Sequence, residues 1–150
     1  MACQSPGIKT TKTFVFDDTI SSIAGIFCSD ERFVDASMSF LKDILKLKGF
    51  DLIVTAGGPA FISADVTVLL DNIKLLKEAH DLKRLILISH EDCRYYAKKY
   101  TNVDGRKVIM HQHKDLLDAK QKINQLFPDI MVESYFARIN GEEIIFEQLN

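Results

Sequence analysis

The sequence contains few cysteines, few prolines and no tryptophan: its 150 residues include three cysteines, three prolines and seven glycines. An odd number of widely spaced cysteines does not fit a disulfide framework, and a chain of this length can fold without one. We therefore expect a reducing, cytoplasmic location. In such a compartment, a cysteine near a histidine indicates metal binding or catalysis.

The sequence also lacks a basic excess, because its formal net charge is -2. Nucleic acids and anionic membranes are therefore not expected partners. No apolar run approaches the roughly 20 residues that span a bilayer. Residues 1–12 are polar and lack the apolar core of a secretory signal. We expect this segment to be flexible and residues 1–150 to form a single domain.

Strands and helices alternate in the hydrophobic pattern. Short apolar runs, bounded by glycine, proline or polar residues, predict strands at residues 20–27, 51–55, 84–89, 130–139 and 142–149. Helical spacing of apolar residues predicts helices at 33–48, 63–80, 92–99 and 113–127. The fold class predicted is α/β: a mostly parallel central sheet with helices on both faces and a C-terminal antiparallel hairpin.

Three polar segments follow the first three predicted strands. They are Cys28-Ser29-Asp30, Thr55-Ala56-Gly57-Gly58 and His90-Glu91-Asp92-Cys93. Because open α/β sheets bind ligands at the carboxyl ends of their strands, we expect the three segments to meet at one edge.

Cysteine thiolate and imidazole are the ligands that zinc prefers, and catalytic zinc sites use three protein ligands. His90 and Cys93 can reach one ion across a strand-to-helix turn, and Cys28 from the neighbouring strand would complete the set. The helix predicted to begin near Asp92 is expected to lower the pKa of Cys93 and favour its thiolate.

Two motifs in this region resemble those of the beta-class carbonic anhydrases. Cys28-Ser29-Asp30-Glu31-Arg32 is similar to the family's Cys-x-Asp-x-Arg, and His90-Glu91-Asp92-Cys93 is similar to its His-x-x-Cys. The separation of about sixty residues between the two motifs also matches the family. At three positions the chain differs: Val54-Thr55 stands where Arg-Asn is usual, and Arg94 where glycine is usual.

The resemblance implies a beta-carbonic-anhydrase-like fold with Zn²⁺ held by Cys28, His90 and Cys93. It implies hydration of CO2 to bicarbonate by a zinc-bound hydroxide, or attack on a related small electrophile. Asp30 would orient the hydroxide, and Arg32 would hold Asp30. Gly57 would offer its N–H to bicarbonate.

The resemblance also implies a homodimer. Residues 130–139, as a terminal strand, would offer an exposed edge for pairing.

Each of these residues also has a purely structural interpretation. Cys28 and Cys93 could be small buried apolar side chains, and His90 a strand-end cap. Asp30 could be a helix N-cap, and this role is compatible with the catalytic one. Two other functions stay open: a non-catalytic zinc-binding or regulatory module, and a thiol-dependent enzyme in which His90 activates a cysteine.

Overall fold

The computed structural model describes residues 13–150, so the expectation of flexibility for residues 1–12 falls outside the described part of the chain. A single five-stranded sheet forms the centre, in the order β2-β1-β3-β4-β5. The strands are β1 (Ile23–Cys28), β2 (Asp51–Thr55), β3 (Arg84–His90), β4 (Met131–Asn140) and β5 (Glu143–Leu149). All neighbours are parallel except β4 and β5, which form an antiparallel hairpin.

Helices cover both faces of this sheet. They are α1 (Glu31–Ser39), which continues into a π-helical segment (Phe40–Ile44), and α2 (Ala60–Ser63), α3 (Thr67–His80), α4 (Arg94–Lys99) and α5 (Gly105–Leu126). None of the described helices is both long and apolar enough to cross a membrane.

Apolar residues fill the space between the helices and each face of the sheet. On one face, α2, α3 and α5 bury residues that include Ile62, Ile73 and Ile123 against β1, β3 and β4. On the other face, Phe33 and Leu41 pack against residues of the same three strands. The predicted fold class is therefore confirmed.

The strand register brings the polar segments to one edge. Phe27 pairs with Ile88 and Cys28 with Thr55, so β1, β2 and β3 all end at the same level of the sheet. β3 is buried on both faces because it lies between two parallel neighbours and under both helical layers.

The first predicted helix, residues 33–48, differs from the observed one at both ends. α1 begins at Glu31 because the Asp30 side chain accepts a hydrogen bond from the Arg32 backbone N–H at 3.1 Å. The helix then widens, and the Leu45 N–H donates to the Phe40 carbonyl, five residues earlier, at 2.9 Å. The helical structure ends before Lys46, whose φ of 56° is left-handed, and not at Gly49.

The predicted helix 63–80 corresponds to α3, which begins later, at Thr67, and the preceding helix α2 shares only Ser63 with the prediction. Asp65 has a φ of 58°, and Val66 is extended, so the backbone turns between them. The predicted helix 113–127 begins eight residues early, at Gly105, because the Asp104 side chain caps it by accepting from the Arg106 N–H at 3.0 Å.

The expectation of a free edge at residues 130–139 is wrong. β4 is an interior strand, paired with β3 on one side and β5 on the other. The hairpin turn at Gly141 places β5 beside the edge of β4 that was expected to be unpaired. The edges of the sheet are β2 and β5.

Gly58 makes the closest backbone approach at the strand ends. Its φ is 50°, and a Cβ atom there would lie 2.8 Å from the Cys28 backbone nitrogen and 2.9 Å from the Phe27 carbonyl carbon. The turn after β2 can therefore pack against the end of β1 only without a side chain at this position.

We expect Gly58→Ala to lower the free energy of unfolding by about 3 kcal/mol, because both the left-handed backbone and the overlap oppose a methyl group. Gly141→Ala isolates the backbone effect, since its φ is 65° but the space is open, and should cost about 1 kcal/mol. Gly105→Ala meets neither obstacle and should be neutral or stabilising. Urea denaturation of the three variants measures this ranking, and equal losses for Gly58→Ala and Gly141→Ala would contradict the proposed close contact.

Candidate metal centre

Cys28, His90 and Cys93 converge at the carboxyl edge of the sheet. Cys28 is the last residue of β1, His90 is the last of β3, and Cys93 is the N-cap of α4. One donor atom from each side chain lies within 4.8 Å of the other two. All three residues are buried, with exposures of 7%, 2% and 4%. This is the arrangement required to hold a single ion.

The imidazole of His90 is oriented for ligation. Its Nδ1 lies 2.8 Å from the Glu91 carbonyl, which can only accept a hydrogen bond, so Nδ1 carries the proton. Nε2 is left with its lone pair, is buried, and has no hydrogen-bond partner among residues 13–150. A buried acceptor without a partner is costly, and an ion beside the two sulfurs would satisfy it.

The two thiols lie close enough for the ionisation of one to affect the other, because the sulfur atoms are 3.9 Å apart. The hydrogen bond with Cys93 lowers the pKa of Cys28, and burial opposes this by raising it. The nearby imidazole of His90 and the backbone N–H of Gly57, 3.3 Å from the Cys28 sulfur, lower it further. The same hydrogen bond with Cys28 raises the pKa of Cys93, and burial raises it further.

The expectation for Cys93 therefore needs correction. Backbone N–H groups of α4, at Tyr95 and Tyr96, do lower the pKa of Cys93 as predicted, but their effect is weaker than that of the neighbouring sulfur. Within the pair, the pKa is lowered at Cys28, at the end of the strand, and raised at Cys93. A divalent cation, by balancing two negative charges, would allow both thiols to ionise.

Asp30 and Arg32 form a bidentate ion pair beside the trio. Arg32 Nε donates to Asp30 Oδ1 at 3.0 Å, and Nη2 donates to Oδ2 at 2.7 Å. These hydrogen bonds lower the pKa of Asp30 to about 2, so its carboxylate is ionised throughout the neutral range. Asp30 is also the N-cap of α1, so the structural and catalytic interpretations of this residue are compatible.

Arg32 reaches a second carboxylate, that of Asp92. Its Nη1 donates to Asp92 Oδ2 at 2.8 Å, and Nη2 donates to the Asp92 carbonyl at 3.1 Å. Asp92 has a left-handed φ of 54°, which bends the chain between His90 and Cys93. Arg32 thus joins the start of α1 to the turn that carries two of the three candidate ligands.

Gly57 contacts the sulfur of Cys28, where we predicted a contact with bicarbonate. Its N–H donates to Cys28 Sγ, and a Cβ atom there would lie 2.9 Å from the ring of Tyr95. A side chain at position 57 is therefore excluded by an aromatic wall as well as by a φ of 85°. A role for Gly57 in substrate binding stays a prediction.

A cavity of about 400 Å³ adjoins the two candidate cysteine ligands. Cys28 and Cys93 line it together with Asp30, Gly57 and Tyr95. The sulfurs, the ionised carboxylate and one aromatic ring thus share a small space with access to solvent.

Gln112 is a supporting residue that we did not predict. Its side chain is 1% exposed, and its Nε2 donates to the His90 carbonyl at 2.6 Å, which fixes the end of β3. The helical spacing of residues 112, 116, 119 and 123 places this glutamine on the buried face of α5. We did not predict its position because the predicted helix began at residue 113.

Comparison with known protein families shows which family the chain matches. A family model described as "Putative carbonic anhydrase" matches residues 20–145, which is most of the chain. The chain belongs to this carbonic anhydrase family. A related, uncharacterized protein of Rickettsia bellii is 24% identical over 132 residues, covering 83% of this chain and 79% of its own.

Solved structures of beta-carbonic anhydrases share the fold of this family member. The beta-carbonic anhydrase CafA of Aspergillus fumigatus superimposes with a TM-score of 0.61 at 14% identity, covering 87% of this chain and 76% of its own. The carbonic anhydrase of Streptococcus mutans gives 0.60 at 12% identity, covering 87% and 82%. A Sordaria macrospora enzyme, described as tetrameric, gives 0.59 at 13%, covering 87% and 81%. The predicted resemblance is confirmed, and at these identities the structural likeness establishes the fold.

We expect the purified protein to bind one zinc ion, and Cys28→Ser, His90→Ala and Cys93→Ser each to lose it, because each removes one of three donors. Metal analysis after dialysis against a weak chelator measures the stoichiometry. Cys3→Ser removes the third thiol of the sequence and serves as the control, which should retain one zinc per chain. Full zinc content in Cys28→Ser would contradict the site.

The pKa of Asp30 gives a separate test of the ion pair. Because the folded-state pKa is lowered from 3.8 to about 2, the stabilisation is present above the ordinary carboxyl range and is lost as the pH falls toward 2. Arg32→Gln should raise the Asp30 pKa toward 3.8, as followed by carboxyl ¹³C shifts. Arg138→Gln removes an equal charge that pairs with Glu147 and should leave the Asp30 titration unchanged. An unshifted Asp30 in Arg32→Gln would show that another group lowers its pKa.

Proposed function

We propose that the chain is a zinc-dependent enzyme, folded as a single domain, that hydrates CO2 to bicarbonate. The observation that carries this proposal is the convergence of two buried thiols and an unpartnered imidazole nitrogen, in a member of the carbonic anhydrase family. Three protein ligands of this kind leave the fourth position of a tetrahedral zinc ion for a reactant. The cavity above the sulfurs supplies the space for it.

Cys28, His90 and Cys93 would hold the ion. A zinc ion bound there would supply a Lewis acid that lowers the pKa of water and would make a nucleophile available near neutral pH. The hydrogen bond from His90 Nδ1 to the Glu91 carbonyl fixes the ring and leaves Nε2 as the atom that would bind the ion. The N–H of Gly57 helps to stabilise the charge on Cys28.

Asp30 would orient the attacking water. Its Oδ1 accepts from both the backbone N–H and Nε of Arg32, whereas Oδ2 accepts only from Nη2. Because a carboxylate oxygen can accept two hydrogen bonds, Oδ2 has capacity for a water in the cavity. Its low pKa keeps the carboxylate from being a proton donor at neutral pH, and it acts as an acceptor only. Arg32, held in turn by Asp92, restricts where the carboxylate can move.

Stopped-flow measurement of CO2 hydration by zinc-loaded protein tests the proposal. We expect a rate above buffer background, and a loss of at least about tenfold in kcat for Asp30→Asn with zinc content unchanged, because a positioned acceptor contributes at that scale. Asp35→Asn makes the same change on an exposed position of α1 and should keep the parent rate.

Two results would replace the proposal with another function. A fully loaded protein with no rate at any pH from mildly acidic to mildly alkaline would indicate a non-catalytic zinc-binding module. A protein without tightly bound zinc, but with a reactive Cys28, would indicate a thiol-dependent enzyme.

A homodimer and a cytoplasmic location stay predictions. An exposed edge strand, β2, with Leu52 and Val54 partly exposed, supports self-association. The Sordaria macrospora enzyme, which is described as tetrameric, is also consistent with self-association.

A further inference from the structure

Arg94 is a charged side chain at the candidate site to which the proposed reaction assigns no role. It is the first residue of α4, directly after Cys93, and it lines the cavity above the sulfurs. Its side chain is exposed, and it has no ion pair with any of residues 13–150. Arginine in a structure usually finds a carboxylate, so an unpaired one at the mouth of a cavity is available to a ligand.

The charges around the cavity explain why a free cation matters there. Asp30 and Asp92 carry two negative charges, and the single positive charge of Arg32 is held between them. Glu31, also in the cavity lining, adds a further carboxylate. An ion balanced by two thiolates would contribute no net charge. Arg94 therefore reduces the net charge around the cavity from two negative charges to one, which lowers the repulsion that an entering anion meets.

The shape of the lining also indicates which anions would bind. A guanidinium presents a planar fork that matches a planar oxyanion by two parallel hydrogen bonds. Tyr95, the next residue, places its ring against Gly57 and forms an apolar wall of the same cavity. A small planar oxyanion has a charged edge for Arg94 and flat faces for the aromatic wall.

We propose that Arg94 is a specificity-determining residue that makes this cavity bind planar oxyanions of the carbonate and carboxylate class. This inference rests on the proposed function, because the site it completes is the metal site. Under it, Arg94 holds the bicarbonate product by charge and by fork geometry. Simple carboxylates then compete for the same place.

Cobalt-loaded protein titrated with acetate at constant ionic strength tests the inference, with the visible absorption spectrum as the readout. Arg94→Gln should weaken acetate binding about tenfold, and Arg94→Lys should weaken it by less, because the charge is kept but the fork is lost. Binding of neutral imidazole should change less than about twofold in Arg94→Gln. This comparison separates the lost charge from a general change in the metal site.

Lys98→Gln is the matched control. It removes an equal charge from the same helix, at an exposed position that does not line the cavity, and should leave acetate binding within about twofold of the parent. The inference is overturned by parent-like acetate binding in Arg94→Gln, by an equal loss in Lys98→Gln, or by no acetate response in the parent.

The two proposals fail in different ways. Protein that binds neither zinc nor cobalt overturns both, because no metal site exists. If cobalt binds and the acetate affinities of the variants change as expected, but the zinc-loaded protein does not hydrate CO2, the enzyme proposal is overturned and the oxyanion site is supported. If the zinc-loaded protein hydrates CO2 but Arg94→Gln binds acetate as tightly as the parent, the role of Arg94 is overturned and the enzyme proposal is supported.

Discussion

Two buried sulfur atoms 3.9 Å apart are the constraint on which the rest of the site depends. Two thiolates at that distance repel, and burial makes the repulsion stronger. Within the chain, the contact between the sulfurs lowers the pKa of Cys28 and raises that of Cys93, and the Gly57 N–H is aimed at the Cys28 sulfur. The His90 nitrogen beside them is also buried and has no hydrogen-bond partner among the described residues. A single cation would balance the charge of the two thiolates and would bind this nitrogen as well.

The sheet makes this arrangement possible before any helix contributes. Parallel pairing ends β1 and β3 at the same edge, so residues far apart in sequence become neighbours by register. The sequence predicts this much, because apolar runs followed by polar segments identify where buried strands end. The fold class and the convergence of Cys28, His90 and Cys93 could therefore be predicted, since both follow from strand order and strand ends.

The features that could not be predicted depend on contacts distant in sequence. The lowered pKa of Cys28 arises first from Cys93 and then from His90 and Gly57, whereas the local sequence predicted a lowered pKa at Cys93. The cap at Asp104 starts α5 early and brings Gln112 beneath His90, a contact between residues 22 positions apart. The interior position of β4 depends on the hairpin folding β5 beside it, which strand propensity alone does not reveal.

The spacing of the two cysteines has a consequence for folding. Cys28 and Cys93 are 65 residues apart in sequence. An ion held by both would close a loop that spans β2, α3 and β3, in the manner of a cross-link. For a cross-link of that length, the chain-entropy model gives a stabilisation of about 4 kcal/mol through the unfolded state. Metal loading and folding of the sheet would then be one linked equilibrium, so the supply of metal would set how much folded protein persists.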